Sequence, residues 1–182
     1  MSRIFIALTP QKEFNQRIVE LKSEQGKFTY KETEVNWSRD DQHHITVNFI
    51  GQMEPEQKQE MFEGLTDYSY PNKSLPIELS HLSYFPNENG QVLVGNVTPS
   101  SQLLKLYDKV EEIVAKIGFG MTIRSFRPHI TLARFKDKSK PFSEILEIGE
   151  PITASVNSLD VYESKFESGK TKHSLIQTYD FE

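Results

Sequence analysis

One pattern occurs twice in this chain, and it constrains the fold more than any other feature. An apolar strand, a Thr-Pro pair, an amphipathic helix and a His-Ile-Thr strand run from "RIFIAL" to "HITV", and again from "VGNV" to "HITL". The Thr-Pro pairs are 89 residues apart and the His-Ile-Thr motifs 85, so the halves differ by a net four residues. Such a repeat predicts an internal duplication.

Local signals predict the elements inside and around the two copies. Thr9 and Thr98, each followed by proline, predict helix starts, and Gly26 and Gly118 predict the helix ends. The stretch "PEQKQEMFEGL" predicts a further helix, and "PNENG" predicts a hairpin between two apolar strands. Two more strands joined by a glycine-containing turn follow at the carboxy terminus.

These elements together predict an α+β fold. We expect a two-lobed, duplicated arrangement with mainly antiparallel sheets, helices on the outside and a central cleft. No linker or change of composition divides the chain. Residues 1–182 are therefore predicted to form a single domain made of two pseudo-symmetric lobes.

Composition narrows the chemistry and the partners. The 182 residues, 36% of them hydrophobic, suffice for one sizeable core. The absence of cysteine excludes disulfides, thiol nucleophiles and thiolate metal sites. A net charge of -5 argues against a surface that coats nucleic acid, although basic residues cluster locally in "RSFRPHITLARFKDKSK". The apolar run at the amino terminus is too short to span a membrane, so we expect a soluble, cytoplasmic protein.

The two motif strands each present polar side chains on one face. Alternate residues of a strand point the same way, so His44 and Thr46 share a face, as do His129 and Thr131. Either motif alone fits a structural histidine on a strand. Two copies in duplicated halves, however, would be related by a pseudo-twofold axis that can bring both polar faces to one cleft.

Two imidazoles in one cleft suit acid–base chemistry near neutral pH, because one can accept a proton while the other donates one. Phosphodiester cleavage needs both transfers. The hydroxyls of Thr46 and Thr131 can donate hydrogen bonds to nonbridging phosphate oxygens. Arg134, five residues after His129, is the best-placed arginine to neutralise phosphate charge.

With these residues the chain resembles the 2H phosphoesterase superfamily, which is defined by two His-x-Thr-x motifs, here "HITV" and "HITL". It is most similar to the RNA 2',3'-cyclic phosphodiesterases, also called 2'-5' RNA ligase family proteins. Supporting segments are "RIFIAL", "VNW", "YFPNENGQVLVGNV", "RPHITLARF" and "SLDVYESKFESGK". The resemblance covers essentially the whole chain.

The resemblance implies metal-independent, cofactor-free hydrolysis of an RNA terminal 2',3'-cyclic phosphate to a 2'-phosphomonoester. It implies that His44 is the general acid and His129 the general base, and that Thr46, Thr131 and Arg134 bind the phosphate. The expected partners are RNA ends or small nucleotides bearing a 2',3'-cyclic phosphate, with no membrane. We also expect a monomer.

The sequence predicts the roles of the other histidines and of Arg127 less specifically. We interpret His43 as structural or surface-exposed because it points away from His44, and His81 has no motif support. His173 stands where the resemblance implies an aromatic residue and is expected at the surface. Arg127 is equally compatible with approaching the phosphate and with pairing to a surface acid.

Aromatic side chains near the motifs could stack on a terminal base. The candidates are Phe49, Tyr84, Phe85 and Phe135. At strand spacing we expect most of them in the core. None is therefore assigned a binding role from the sequence.

Several other activities remain open or are disfavoured. The sequence does not separate RNA hydrolysis from phosphodiesterase activity on small cyclic nucleotides or ADP-ribose cyclic phosphate, from 2'-5' RNA ligation, or from a noncatalytic RNA-end-binding module. The intact histidines and threonines favour an enzyme. A metal hydrolase is disfavoured because each motif supplies one good ligand, and a histidine-triad hydrolase would need alternating histidines.

Overall fold

The computed structural model of the chain describes residues 3–26, 35–68, 70, 74–87, 90–120, 125–135, 145–167 and 169–181. The strands are β1 (Arg3–Leu8), β2 (Val35–Trp37), β3 (Ile45–Gly51), β4 (Leu75–Phe85), β5 (Val92–Val97), β6 (His129–Phe135), β7 (Ile145–Val156), β8 (Ser158–Glu167) and β9 (Lys170–Asp180). The helices are α1 (Lys12–Gly26), α2 (Pro55–Thr66) and α3 (Ser101–Lys116), with a 3₁₀ turn at Asp40–Gln42.

The strands form one antiparallel sheet in the order β7-β4-β5-β6-β3-β1-β8-β9, and the short β2 pairs with β6. The two motif strands, β6 and β3, are neighbours at its centre. Reading outward from that centre, β6 corresponds to β3, β5 to β1 and β4 to β8. This order confirms the predicted α+β class and is the order that two duplicated halves would produce side by side.

The helices cover the apolar face of this sheet. α3 carries the fully buried Leu103, Leu106 and Val110 and packs against β3 and α2. α2 begins at a capping box in which the Glu54 side chain and the Gln57 side chain satisfy each other's backbone amides. Among the described residues, no helix is long and apolar enough to cross a membrane.

The helix starts predicted at the two Thr-Pro pairs are too early in both copies, and neither threonine caps its helix. α1 begins at Lys12, and the Thr9 hydroxyl instead donates to Asp160 at 2.6 Å. α3 is capped by Ser100, whose hydroxyl accepts from the backbone amide of Leu103 at 3.1 Å. The Thr98 hydroxyl donates to Glu78 on β4 at 2.9 Å. Both hydroxyls therefore bond to carboxylates on neighbouring strands, which are far away in the sequence.

Both motif strands contain a bulge at the fourth motif residue. Opposite β1 the pairing steps from Thr46 to Asn48, leaving Val47 as the extra residue. Opposite β5 it steps from Thr131 to Ala133, leaving Leu132 extra. From Ile45 to Phe49 and from Ile130 to Arg134 the burial pattern is the same, and in each strand two consecutive buried residues precede an exposed one. A bulge therefore shifts the alternation by one residue in each half.

Gly95 on β5 lies where a side chain would strike the core. A Cβ added there would come within 2.5 Å of Cδ1 of Leu79, which is fully buried. We expect Gly95→Ala to lower the free energy of unfolding by about 1–3 kcal/mol through overpacking, which exceeds the roughly 0.4–1 kcal/mol gained from a less flexible unfolded chain. Urea denaturation measures this change.

Gly120→Ala is the matched control, because a Cβ there meets no atom within 4 Å. It should leave the urea midpoint unchanged or raise it slightly. Equal stability of the two variants would show that Leu79 can move aside at no cost.

Candidate active site

The pairing of the two motif strands places their four polar side chains on one face. Ile45 lies opposite Ile130, and both are fully buried. Continuing an antiparallel ladder by one residue on each side sets His44 against Thr131 and Thr46 against His129, on the face opposite the isoleucines. In a regular ladder the two histidines are diagonal neighbours, roughly 7–8 Å apart. That spacing leaves room for one phosphate between the imidazoles.

The two imidazoles are held in the same way. His44 Nδ1 lies 2.7 Å from the carbonyl oxygen of Gln42, and His129 Nδ1 lies 2.7 Å from the carbonyl oxygen of Arg127. A carbonyl can only accept, so each Nδ1 carries a proton and donates it. In the neutral rings Nε2 is therefore unprotonated. Each half of the molecule presents one Nε2 for proton transfer.

Burial lowers the pKa of both histidines. Desolvation lowers the pKa of His44 to about 4, with smaller contributions from the charges of His173 and His129, against a raising effect of the bond to Gln42. Burial also lowers the pKa of His129, and the charges of Arg127 and Arg134 lower it further. The effect of His129 on the pKa of His44 is consistent with the two imidazoles lying near each other. Without an anion, both rings are neutral at pH 7.

His44 packs in a group of rings that we call the His44 ring cluster, made of Phe5, His44, Tyr162 and His173. The Phe5 ring centroid lies 5.0 Å from that of His44 and 5.2 Å from that of Tyr162. His173 meets Phe5 at 5.0 Å and His44 at 5.7 Å, edge to face in both cases. The expectation of a surface position for His173 is therefore wrong, since β9 brings this half-buried ring to the site.

Tyr162 is fixed by a buried carboxylate. Its hydroxyl lies 2.7 Å from the hydroxyl of Thr9, which donates to Asp160. Asp160 is only 5% exposed and also accepts from Thr178 at 2.9 Å. This network holds the Tyr162 ring against Phe5 and so supports the ring of His44.

Sequence reasoning missed Phe5 and Tyr162. The segment "RIFIAL" is apolar on both faces, so its alternation does not show that Phe5 points to the site. A continuous apolar run that pairs with a motif strand is nevertheless a signal that could have identified Phe5. No local signal marks Tyr162, because it reaches the site through the pairing of β8 with β1.

His129 is supported by a different set of groups. The Phe85 ring stacks on His129 with the centroids 4.3 Å apart. The Arg127 guanidinium lies 4.8 Å from the Phe85 centroid and donates to the carbonyl of Pro86 at 2.7 Å. Among the described residues, the side-chain contacts of Arg127 are thus with Phe85 and Pro86, and its approach to a phosphate stays a prediction. Arg127 braces Phe85, which in turn braces His129.

Arg134 returns to the face of the site because of the bulge at Leu132. Simple alternation would put a residue five positions after His129 on the opposite face. Arg134 instead pairs with Val92, and Thr131 with Val94, so that Arg134 and Thr131 share a face. It is exposed, and its charge lowers the pKa of His129. The remaining members of the predicted basic cluster, Arg124, Lys136, Lys138 and Lys140, lie outside the described residues.

His43 is a structural residue behind the site. It is 4% exposed, and its Nδ1 donates to Asn15 Oδ1 at 2.5 Å while Nε2 faces Lys22 Nζ at 3.3 Å. Lys22 also donates to the carbonyl of Ser38 at 2.6 Å and to Asp40 at 2.7 Å. Burial, then the charge of Lys22, lowers the pKa of His43 to about 4. These contacts anchor to α1 the loop whose Gln42 carbonyl orients His44.

His81 lies on β4, where its Nδ1 is 2.9 Å from the hydroxyl of Ser80.

Within the described part of the chain, no group of three or more histidine, aspartate or glutamate side chains is arranged to hold a metal ion. By the pairing of β3 and β6, the shared face carries the imidazoles of His44 and His129, the hydroxyls of Thr46 and Thr131 and the guanidinium of Arg134.

The pKa directions can be checked by NMR titration of the imidazole protons. In the ligand-free protein we expect His43 and His44 to titrate near pH 4 and His129 below 6.5, because burial disfavours the charged rings. Single His→Asn variants assign the resonances. A His44 resonance with its midpoint at 6.5 or above would contradict this description of the site.

Comparison with known families and sequences finds relatives of this chain. The sequence model of the 2'-5' RNA ligase superfamily matches residues 10–165. An RNA 2',3'-cyclic phosphodiesterase of Aeropyrum pernix is 34% identical over 99 residues, which cover 53% of this chain and 55% of that protein. One from Thermotoga maritima is 24% identical over 165 residues, covering 89% and 86%. The match to the Aeropyrum pernix relative thus spans little more than half of its length.

Solved structures share the fold over nearly the full length. A protein of Thermus thermophilus superposes with a TM-score of 0.83 at 19% identity, covering 98% of this chain and 97% of that one. Escherichia coli LigT complexed with 3'-AMP gives a TM-score of 0.80 at 21% identity with the same coverage. By the extent of the family match, this chain belongs to the 2'-5' RNA ligase superfamily of 2H phosphoesterases.

Proposed function

We propose that this protein hydrolyses an RNA terminal 2',3'-cyclic phosphate to a 2'-phosphomonoester without a metal ion. The observation that carries the proposal is the pair of imidazoles, His44 and His129, which share one face of the sheet and are both held with Nε2 available. The relatives from Aeropyrum pernix and Thermotoga maritima carry the name of this activity, which supports the choice of substrate.

In the proposed reaction a water molecule attacks phosphorus and the bond from phosphorus to the 3' oxygen breaks. Nε2 of His129 accepts the proton from water, and protonated Nε2 of His44 gives its proton to the leaving 3' oxygen. The phosphate remains on the 2' oxygen. The hydroxyls of Thr46 and Thr131 donate to the nonbridging oxygens, and Arg134 offsets the charge that develops there.

The depressed pKa of His44 fits this role only when the substrate is bound. In the empty site the ring is neutral, because burial opposes its charge. A cyclic phosphodiester between the two imidazoles is a monoanion, and an anion at that distance favours the imidazolium. The substrate's own charge thus helps to protonate the acid that cleaves it. Because both imidazoles are neutral until the substrate binds, the free protein also avoids the cost of keeping a positive charge in a buried position.

Removal of either imidazole tests the reaction. We expect His44→Ala and His129→Ala each to lower kcat by about 10²–10⁴-fold, which is the usual contribution of one general acid or base. The substrate is an RNA oligomer ending in a 2',3'-cyclic phosphate, assayed in EDTA with identification of the 2'-phosphate product. Circular dichroism and thermal unfolding should show that both variants fold.

Undiminished turnover in either variant, or a strict need for metal in the wild type, would refute the acid–base mechanism. A wild type that binds the RNA end without turning it over would indicate an end-binding module. A panel of substrates from mononucleotides and ADP-ribose cyclic phosphate to longer RNA separates RNA hydrolysis from action on small cyclic phosphates. The same panel with 5'-hydroxyl RNA added detects 2'-5' ligation.

The pH dependence carries a second test. One imidazole must be protonated and the other neutral, so kcat/KM should follow a bell whose limbs are the pKa values of the free protein. Both pKa values lie below 6.5, so kcat/KM should peak below pH 6.5 and fall as pH rises further. The kcat profile should lie at higher pH, because the bound phosphate raises both pKa values. Coincident profiles would contradict the role given to the phosphate charge.

A further inference from the structure

Three polar side chains form a row across the sheet beside the His44 ring cluster. They lie directly opposite one another on β1, β8 and β9, and they are Arg3, Ser164 and His173. Arg3 is two positions from Phe5, and Ser164 is two positions from Tyr162. Alternate residues of a strand point the same way, so this row shares a face with the two rings. We call these three residues the polar row.

The polar row is continuous with the candidate active site through His173. The ring centroid of His173 lies 5.7 Å from that of His44 and 5.0 Å from that of Phe5. His173 is half-buried, whereas Arg3 and Ser164 lie further from His44 and are exposed and partly exposed. The row therefore begins one ring away from the proposed general acid and leads outward along the same face.

The side chains next to the polar row on this face are mostly apolar. Phe49 pairs with Phe5 and is 58% exposed, and Leu175 pairs with Tyr162 and is 55% exposed. The expectation that Phe49 belongs to the core is therefore wrong. The hydroxyl of Tyr162 is already bonded to that of Thr9. A charged group of a ligand on this side of His44 would thus meet its donors in the polar row.

The members of the polar row have no polar partner in the described part of the chain. Nδ1 of His173 is buried and makes no hydrogen bond there. Neither the Arg3 guanidinium nor the Ser164 hydroxyl has a hydrogen bond or ion pair with a described residue. One exposed arginine or serine without a partner is ordinary, but buried polar atoms are nearly always bonded. Three such neighbours beside a catalytic imidazole indicate a site that a ligand completes.

The charges around the polar row favour an anion. The nearest acids on β8, Glu163 and Glu167, alternate to the opposite face of the sheet, and Glu163 pairs there with Lys165 at 2.8 Å. Among the described residues, no carboxylate is thus paired in register with Arg3 on its own face. A guanidinium without a carboxylate partner is suited to bind a phosphate.

The hydrogen-bonding capacity of His173 fits the same anion. A proton on its buried Nδ1 would be an unpaired donor, which costs free energy, so the neutral ring carries its proton on Nε2. The polar row then offers a guanidinium, a hydroxyl and an imidazole N–H, all of which donate. A neutral donor also suits this position, because a charged His173 lowers the pKa of His44.

A second phosphate of the substrate is an anion that reaches this row. The ribose that carries the cyclic phosphate at an RNA end also carries a phosphodiester on its 5' oxygen. Rows that are two residues apart on a strand are separated by about 6–7 Å, a step that one nucleotide spans. An unattached anion would need no connection to the imidazoles. The contact of His173 with His44 therefore favours a phosphate that belongs to the same substrate.

We propose that the polar row binds the phosphate on the 5' side of the terminal nucleotide, and that it gives the site a preference for RNA ends over cyclic mononucleotides. The proposal rests on the proposed function, because it assigns a further part of the same substrate. Arg3 supplies the positive charge, and Ser164 and His173 donate hydrogen bonds to the same phosphate.

The test compares three substrates that share the reacting nucleotide. Adenosine 2',3'-cyclic phosphate has no phosphate on its 5' oxygen, its 5'-phosphorylated form has a monoester there, and the dinucleotide ApA with a 2',3'-cyclic end has a phosphodiester. For Arg3→Ala we expect kcat/KM on the last two to fall roughly 5- to 50-fold, the lower part of the range for hydrogen bonds to charged groups, because Arg3 is exposed. On the first substrate kcat/KM should stay unchanged, which also shows that the variant folds.

Two further measurements follow the same phosphate. Ser164→Ala should lower kcat/KM on the two 5'-phosphorylated substrates by about 2- to 5-fold, the effect of losing one neutral hydrogen bond. Added salt should narrow the preference of the wild type for these substrates, and Arg3→Ala should show a weaker salt dependence. His173 is kept intact in these variants, because its contact with His44 would affect all three substrates.

Lys172→Ala is the matched control. Lys172 is an exposed cation next to His173 that points to the opposite face of β9. Its removal changes the net charge as Arg3→Ala does and should leave the preference for a 5' phosphate intact. The proposal is overturned if Arg3→Ala loses activity equally on all three substrates or on none, or if Lys172→Ala shows the same selective loss. A loss confined to the dinucleotide also overturns it, because the second nucleoside would then be the group that is bound.

Failure of the proposed function gives a different result. If the wild type turns over none of the three substrates, hydrolysis is refuted, and calorimetry with adenosine 2'-monophosphate and adenosine 2',5'-bisphosphate then decides the role of the polar row. Tighter binding of the bisphosphate by the wild type and Lys172→Ala, but not by Arg3→Ala, supports it. Equal binding of the two nucleotides by the wild type, or an unchanged preference in Arg3→Ala, overturns it.

Discussion

The site depends on one strand pairing, that of Ile45 with Ile130 at the centre of the sheet. The side-chain period of a strand is two, so a slip of one residue would turn both histidines into the core and both isoleucines toward the site. Burial of the two isoleucines opposes that slip, because each would lose about 1.5–3 kcal/mol of hydrophobic stabilisation if exposed. The apolar face thus fixes the register of the polar one.

Around that pairing, the two halves have the same backbone arrangement, but different side chains surround the two imidazoles. Each motif histidine donates from Nδ1 to the carbonyl two residues before it, and each motif strand bulges at its fourth residue. The supports then diverge. His44 lies within a cluster of rings anchored through Tyr162 and Asp160, whereas His129 stacks on Phe85, which carries a guanidinium. We interpret this as two pseudo-symmetric lobes, each of which has acquired its own surroundings for the shared imidazole.

Those surroundings show how burial of the two imidazoles is compatible with the proposed proton transfer. A buried neutral imidazole costs little as long as its N–H is bonded, and both Nδ1 atoms are. Burial also keeps the rings uncharged until an anion arrives. Packing by Phe5, Tyr162 and Phe85 limits the rotation of the two imidazole rings, so that each Nε2 is already held in the position that the proposed reaction requires.

The sequence alone predicted the class of the fold and the two motifs whose strands pair, because strand alternation and helix periodicity are local properties that a repeat makes visible. The roles of His44, Thr46, His129 and Thr131 stay predictions. It did not determine which partners Thr9 and Thr98 bond, that His173 lies beside His44, or that Phe49 is exposed at the site. Those outcomes depend on strands far apart in the chain, such as β9 against β8 and β8 against β1. Bulges that shift a strand by one residue arise from strand pairing, so only the tertiary structure could decide that Arg134 shares a face with Thr131.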